Sequence, residues 1–95
     1  MREKEVEQYL VKKVKEIGGK AFKFVSPGNA GVPDRMVCLP GGRIFFVELK
    51  APGCKTTALQ DLQIKKLYDL GFNVMVIDNK ETIDRLIEFW NNEAV

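Results

Sequence analysis

The sequence predicts a small α/β domain in the element order αβββαβα, its mixed sheet flanked by helices. Three observations predict it. Apolar residues recur at helical spacing near both ends of the chain, with short apolar runs between them. Glycine and proline punctuate those runs every few residues. A strand, helix, strand passage in the second half implies a right-handed crossover between parallel strands, in a sheet that also contains a hairpin.

The elements follow in order. Residues 2–17 read as a helix because Val6, Leu10, Val14 and Ile17 fall on one stripe and Gly18-Gly19 stops it. Residues 21–25 form a short strand, and 26–33 (SPGNAGVP) a glycine- and proline-rich loop. Residues 34–39 and 43–50 are strands joined at Pro40-Gly41-Gly42, a hairpin signal. In the second of these, Ile44 and Phe46 alternate with Phe45, Val47 and Leu49, so both faces are apolar and the strand is central. A polar loop, 51–56, leads to a helix over 57–70 that ends at Gly71, with Leu59, Leu62, Leu67 and Leu70 as its expected buried side. Residues 73–77 are a buried strand. Asp78 or Asn79 then caps a last helix, Asp78 and Glu81 having capping-box spacing. Ile83, Leu86, Ile87 and Trp90 make its core-facing stripe.

Composition narrows the chemistry. A chain of 95 residues, 45 % apolar, supports one domain over 1–95 with one core. No run of 18 apolar residues exists, and MREKEVEQYL is charged from its second position, so neither a membrane span nor a signal peptide is expected and an intracellular setting is. Cys38 and Cys54 form no CxxC pair and read as free thiols. Histidine is absent, which removes the commonest general base and the commonest zinc ligand together. Catalysis must then run on carboxylates, lysine or a hydroxyl, and any metal site is an oxygen site suited to Mg²⁺ or Mn²⁺. Charge is uneven. Residues 1–66 hold 13 basic and 7 acidic side chains, a net +6, against 2 and 6, a net −4, over 67–95. A basic face for a polyanion is one reading of this, and an ordinary solvated surface the other.

Polar residues stand where they are costly. Glu48 and Lys50 lie two apart at the end of the most apolar strand and therefore share a face. A hairpin centred on Gly41 places Asp34 opposite Glu48, with Cβ atoms about 5 Å apart. Two like charges so placed destabilise a sheet, and a divalent cation between them reverses the sign of that term. Lys50 is placed to orient a water or hold a phosphate oxygen. A strand-end ion pair and a turn-capping aspartate would account for these residues singly. The sequence Gly31-Val32-Pro33-Asp34, then a hairpin, then Val47-Glu48-Leu49-Lys50, is more specific than its parts. Gln60 stands three after Thr57, which is capping-box spacing for the second helix.

These residues resemble the PD-(D/E)XK nuclease superfamily. Gly31-Val32-Pro33-Asp34-Arg35, Val47-Glu48-Leu49-Lys50 and Leu59-Gln60, with Leu67 and Gly71 downstream, are similar to the VRR-NUC domain over nearly the whole chain. The resemblance implies a restriction-endonuclease-like αβββαβ core and a metal-dependent endodeoxyribonuclease. It implies Asp34 and Glu48 as ligands of Mg²⁺ or Mn²⁺, with the Leu49 backbone carbonyl as a further ligand, and Lys50 as the group that orients or deprotonates water. It also implies roles for Glu7 on the first helix, as metal support, and for Gln60, which would then cap the second helix and face the site together, with Gln63 a weaker candidate one turn on. Small members of this kind are typically phage-encoded, which implies the cytoplasm of a bacterial host. DNA is the expected partner, branched forms such as a Holliday junction suiting a short chain with little surface for reading bases. No membrane and no nucleotide cofactor is expected. A homodimer would bring two sites to two strands, and Val11 and Phe89, off the helical stripes, belong either to the core or to its interface. Two alternatives remain open at this point: a DNA-binding module without turnover, and a nuclease acting on RNA.

Overall fold

Residues 1–93 are described by the computed structural model. Helix α1 (Glu3–Glu16) starts where the Glu5 carboxylate turns back to accept from the Arg2 backbone N–H, and carries Lys13 and Lys15 in its last turn, a charge order that suits the helix dipole. Strands β1 (Lys20–Lys23), β2 (Arg35–Leu39) and β3 (Arg43–Leu49) follow, then α2 (Ala58–Asp69), β4 (Asn73–Ile77) and α3 (Lys80–Asn92). The order is the predicted αβββαβα.

The sheet runs β1-β2-β3-β4, antiparallel except for the parallel β3–β4 pair, which α2 connects. The β2–β3 hairpin turns through Gly41 and Gly42 at φ of +85° and +77°, and its register pairs Arg35 with Val47 and Val37 with Phe45. That is the register centred on Gly41. β3 is central, as its two apolar faces predict.

Alternation gives the sheet two unlike faces. One presents Ala21, Val37, Leu39, Phe45, Val47, Leu49 and Ile77 to α1 and α3, which supply Val6, Leu10, Val14, Ile83 and Trp90. Trp90 lies 5.0 Å from the Phe45 ring, centroid to centroid, and Tyr9 donates to Asp84 between the two helices. Truncating a fully buried residue of this core, such as Leu10 to Ala, costs about 2–5 kcal/mol. The other face carries Phe46, Glu48 and Val76, and α2 lies over it, since Gln60 on α2 reaches Glu48.

Two expectations need correction and two open readings are resolved. β4 is not a buried strand, since Ile77 alone of its five residues is buried. No residue of α2 is buried: Leu59 and Leu62 are 47 % and 48 % exposed, Leu67 is half-buried, and Leu70 at its C-terminal cap is 74 % exposed. α2 is an outer layer alongside β4, on a sheet face that gives part of its area to Glu48, so its leucine spacing finds no opposing layer to fill. The cap of α3 is Asn79, which accepts from the Thr82 N–H at 2.8 Å. Asp78 instead accepts from Gly53 N–H and from the Asn79 amide. Of the two off-stripe residues, Val11 packs against the core, while Phe89 is 52 % exposed. Both cysteines are free, and no described helix is long and apolar enough to cross a membrane.

Candidate active site

Asp34 ends the stiff approach Val32-Pro33, in which Pro33 is fully buried. Its own carbonyl accepts from Phe24 N–H at 2.9 Å, which continues the β1–β2 ladder one step past β2 and holds the residue in strand geometry. One step beyond the Arg35–Val47 pair, Asp34 therefore stands opposite Glu48, on the same face of the sheet. Its Oδ2 accepts from the backbone N–H of Leu49 at 2.9 Å. Leu49 contributes only backbone here, because its side chain is fully buried on the opposite face.

Glu48 is 2 % exposed and is the only buried charged residue among those described. Its two oxygens have different fates. Oε2 accepts from the Gln60 side-chain amide at 2.9 Å and lies 3.7 Å from Lys50 Nζ. Oε1 is buried with no hydrogen-bond partner among the described residues. Burial, and then the charge on Asp34, push the Glu48 carboxyl up to about 7, against the pull of Lys50. Glu3, at the start of α1, adds a smaller push in the same direction.

Gln60 is held at both ends. Its Oε1 accepts from Thr57 N–H at 2.9 Å, and its own N–H donates to Thr57 Oγ1 at 3.2 Å, completing a capping box. With Oε1 engaged by a donor, the NH₂ end must face Glu48. One residue thus starts α2 and touches the site, as its spacing from Thr57 allows.

The structure brings Asp34, Glu48, Lys50 and Gln60 together, with the backbone of Leu49 among them. Glu7 does not join them. Its Oε2 accepts from Arg35 Nε at 2.8 Å, and Arg35 also donates to the Ala21 carbonyl. Arg35 follows Asp34 in the strand, so alternation turns it to the α1 side of the sheet and takes Glu7 with it. Of the two α1 glutamates, it is Glu3, one helical turn before Glu7, whose charge adds to the push on Glu48.

A divalent cation fits this donor set. A buried carboxylate oxygen without a partner beside a second carboxylate is a hard, anionic position that a proton or a cation must compensate. Among the described residues no three His, Cys, Asp or Glu side chains gather, so two carboxylates and backbone oxygen would hold the ion, the incomplete shell that Mg²⁺ accepts because it keeps several waters.

The fold has a close solved counterpart. A solved structure described as a VRR_NUC domain superposes with a TM-score of 0.85 and 32 % sequence identity, over 93 % of this chain and 96 % of that one. The chain belongs to the VRR-NUC nuclease family. A curated relative, "Putative nuclease p44" of Acyrthosiphon pisum secondary endosymbiont phage 1, is 52 % identical over 81 residues, 85 % of this chain and 87 % of the relative. No family model matches the sequence. Within the VRR-NUC fold, the GVPD loop and the VELK strand end are the segments that meet at Asp34 and Glu48.

Proposed function

We propose that this VRR-NUC chain is a Mg²⁺- or Mn²⁺-dependent endodeoxyribonuclease that cuts branched DNA such as a four-way junction. The observation that carries the reading is the partnerless buried oxygen of Glu48 beside the Asp34 carboxylate. Asp34, Glu48 and the Leu49 carbonyl would hold the metal, which when bound lowers the pKa of water and neutralises charge building on the phosphate. Each protein group has a stated task. Leu49 N–H ties down Asp34 Oδ2, which aims the rest of that carboxylate toward Glu48. The Gln60 amide occupies Glu48 Oε2 and leaves Oε1 for the ion. Lys50, on the same sheet face, orients the attacking water or receives its proton, and its charge draws a phosphate oxygen.

Support for a DNA partner is the net +6 of residues 1–66. The relative's phage origin supports action inside a bacterial host. A homodimer is part of the proposal, since a twofold pair sets two sites on one branched substrate.

The test is cleavage of a panel of duplex, flap, four-way junction, single strand and RNA, each with Mg²⁺, Mn²⁺ or EDTA. Paired nicks on the junction with either metal and none in EDTA are expected. Robust cutting in EDTA, or cutting of RNA alone, overturns the reading. Light scattering should give twice the 10.8 kDa chain mass, and a monomer mass removes the dimer.

A further inference from the structure

Gly31 has a contact that none of the site residues explains. It adopts φ of +90°, and a Cβ placed there would lie 2.9 Å from the Leu59 carbonyl oxygen and 3.0 Å from the Leu59 carbonyl carbon and Cγ. The loop thus rests directly on the first turn of α2, backbone against backbone. The peptide it touches is the one that joins Leu59 to Gln60. Gln60 in turn donates to Glu48 Oε2 at 2.9 Å. Three residues after Gly31 the same loop delivers Asp34, whose Oδ2 is fixed by Leu49 N–H. One point of contact therefore joins the two arms that flank Glu48: the loop bearing Asp34 and the helix bearing Gln60.

We propose that Gly31 is a positioning residue: by lacking a side chain it seats the loop on the Leu59–Gln60 peptide and so sets where the Gln60 amide meets Glu48. This rests on the reading of Glu48 as a working carboxylate of a metal-dependent nuclease. Exposed α2 cannot hold that position by burial, because none of its residues is buried. The contact with Gly31 bears on its first turn from outside the helix. A methyl group at Gly31 has only backbone and a branched side chain to push against, and α2, the less anchored partner, gives way. The Gln60 amide then withdraws from Glu48.

Gly28 provides the control. It lies in the same loop at φ of +82°, yet a Cβ there meets nothing within 4 Å. Gly28→Ala carries the backbone strain of positive φ without the contact. Gly31→Ala carries both.

The experiment uses the full chain, ¹⁵N-labelled, as wild type, Gly31→Ala, Gly28→Ala, Gln60→Ala and the Gly31→Ala/Gln60→Ala double variant. Three quantities are read: the Gln60 side-chain NH₂ resonances, Mn²⁺ affinity by calorimetry, and kcat and KM on DNA with Mg²⁺. In Gly31→Ala the Gln60 resonances should move to the free-glutamine position and Mn²⁺ should bind more weakly. kcat should fall about 10- to 100-fold, the range set by small misplacements of a reacting group, with KM nearly unchanged. Gly28→Ala should match wild type in all three. The double variant should be no worse than Gln60→Ala, since Gly31 acts through Gln60. If Gly31→Ala does not fold, Gly31→Asn takes its place, because asparagine accepts positive φ at less strain and still carries a Cβ. Unmoved Gln60 resonances in a folded Gly31 variant, equal losses in Gly28→Ala, or multiplicative losses in the double variant overturn the proposal. Should wild type cut no substrate, the nuclease reading fails, while the amide resonances and Mn²⁺ affinity still decide the role of Gly31.

Discussion

Gln60 and Glu48 meet through one hydrogen bond of 2.9 Å that assigns the two ends of both side chains. Thr57 N–H takes the glutamine oxygen, so the glutamine nitrogen takes Oε2 of Glu48, and Oε1 is left buried and bare. The bond links the start of α2 to the strand end that carries Glu48 and Lys50. It follows that changes to α2 can act at the site without touching Asp34 or Lys50.

Lys50→Ala should stop cleavage while leaving the fold intact and much of the DNA affinity in place. Lys50 is largely buried beside Glu48, and loss of a proton-handling group lowers rates by about 10²–10⁴. Single-turnover cleavage with separately measured binding checks this, and an unchanged kcat refutes the assignment.

Stability of the metal-free protein should fall with rising pH. The folded Glu48 carboxyl titrates near 7, above its ordinary 4.5, so the folded state holds its proton more tightly than the unfolded chain does. Stability from this group is complete below about 4.5 and is lost progressively as pH rises through 7. The loss is on the order of 2–3 kcal/mol by pH 8. Glu48→Gln should therefore melt higher than wild type at pH 8, converge with it at pH 5, and cut nothing. Mg²⁺ should raise wild-type melting at pH 8 and leave the variant unmoved. Parallel melting curves at both pH values, with and without Mg²⁺, are the measurement.

Thr57→Ala should separate stability from catalysis. It removes the hydroxyl that accepts from Gln60 N–H, a cap worth about 1 kcal/mol, yet keeps the backbone N–H that orients the Gln60 amide. Urea unfolding should show the loss while the cleavage rate stays near wild type. A rate as low as that of Gln60→Ala would mean that the hydroxyl, rather than the backbone, orients the amide.

DNA affinity should fall steeply with salt. Each phosphate neutralised by the lysines and arginines of residues 1–66 releases counterions, giving a slope of about −0.9 per contact on duplex DNA in a log–log plot. Affinity that stays flat between low and physiological salt would remove the basic-face model.

Much of this site is legible in the sequence. The turn at Gly41 determines the hairpin register, and register alone puts Asp34 opposite Glu48. The Thr57–Gln60 spacing marks a cap, and the family resemblance implies that it faces the site. What stayed hidden depended on the third dimension. Leucines at helical spacing show which side of α2 is apolar, but not whether a second layer exists to cover it. The Glu7–Arg35 pair needed the packing of α1 on the sheet to be known, although alternation already turned Arg35 away from Asp34. The contact of Gly31 with Leu59 joins segments separated by a whole hairpin, and no local pattern marks it.

The hairpin that creates the Asp34–Glu48 pair is also the most local long strand pairing in the chain, whereas β4 must wait for α2 to form and cross over. Hairpins close in about 1–10 μs, and parallel pairings with larger loop-closure costs come later. The two carboxylates are thus brought face to face early, before Gln60 on α2 is present to occupy one of their oxygens. Repulsion between them acts on the nascent hairpin, not only on the finished fold. Mildly acidic solution or a divalent cation should therefore speed refolding as well as stabilise the product, making the candidate active site a control point on the route by which the chain assembles.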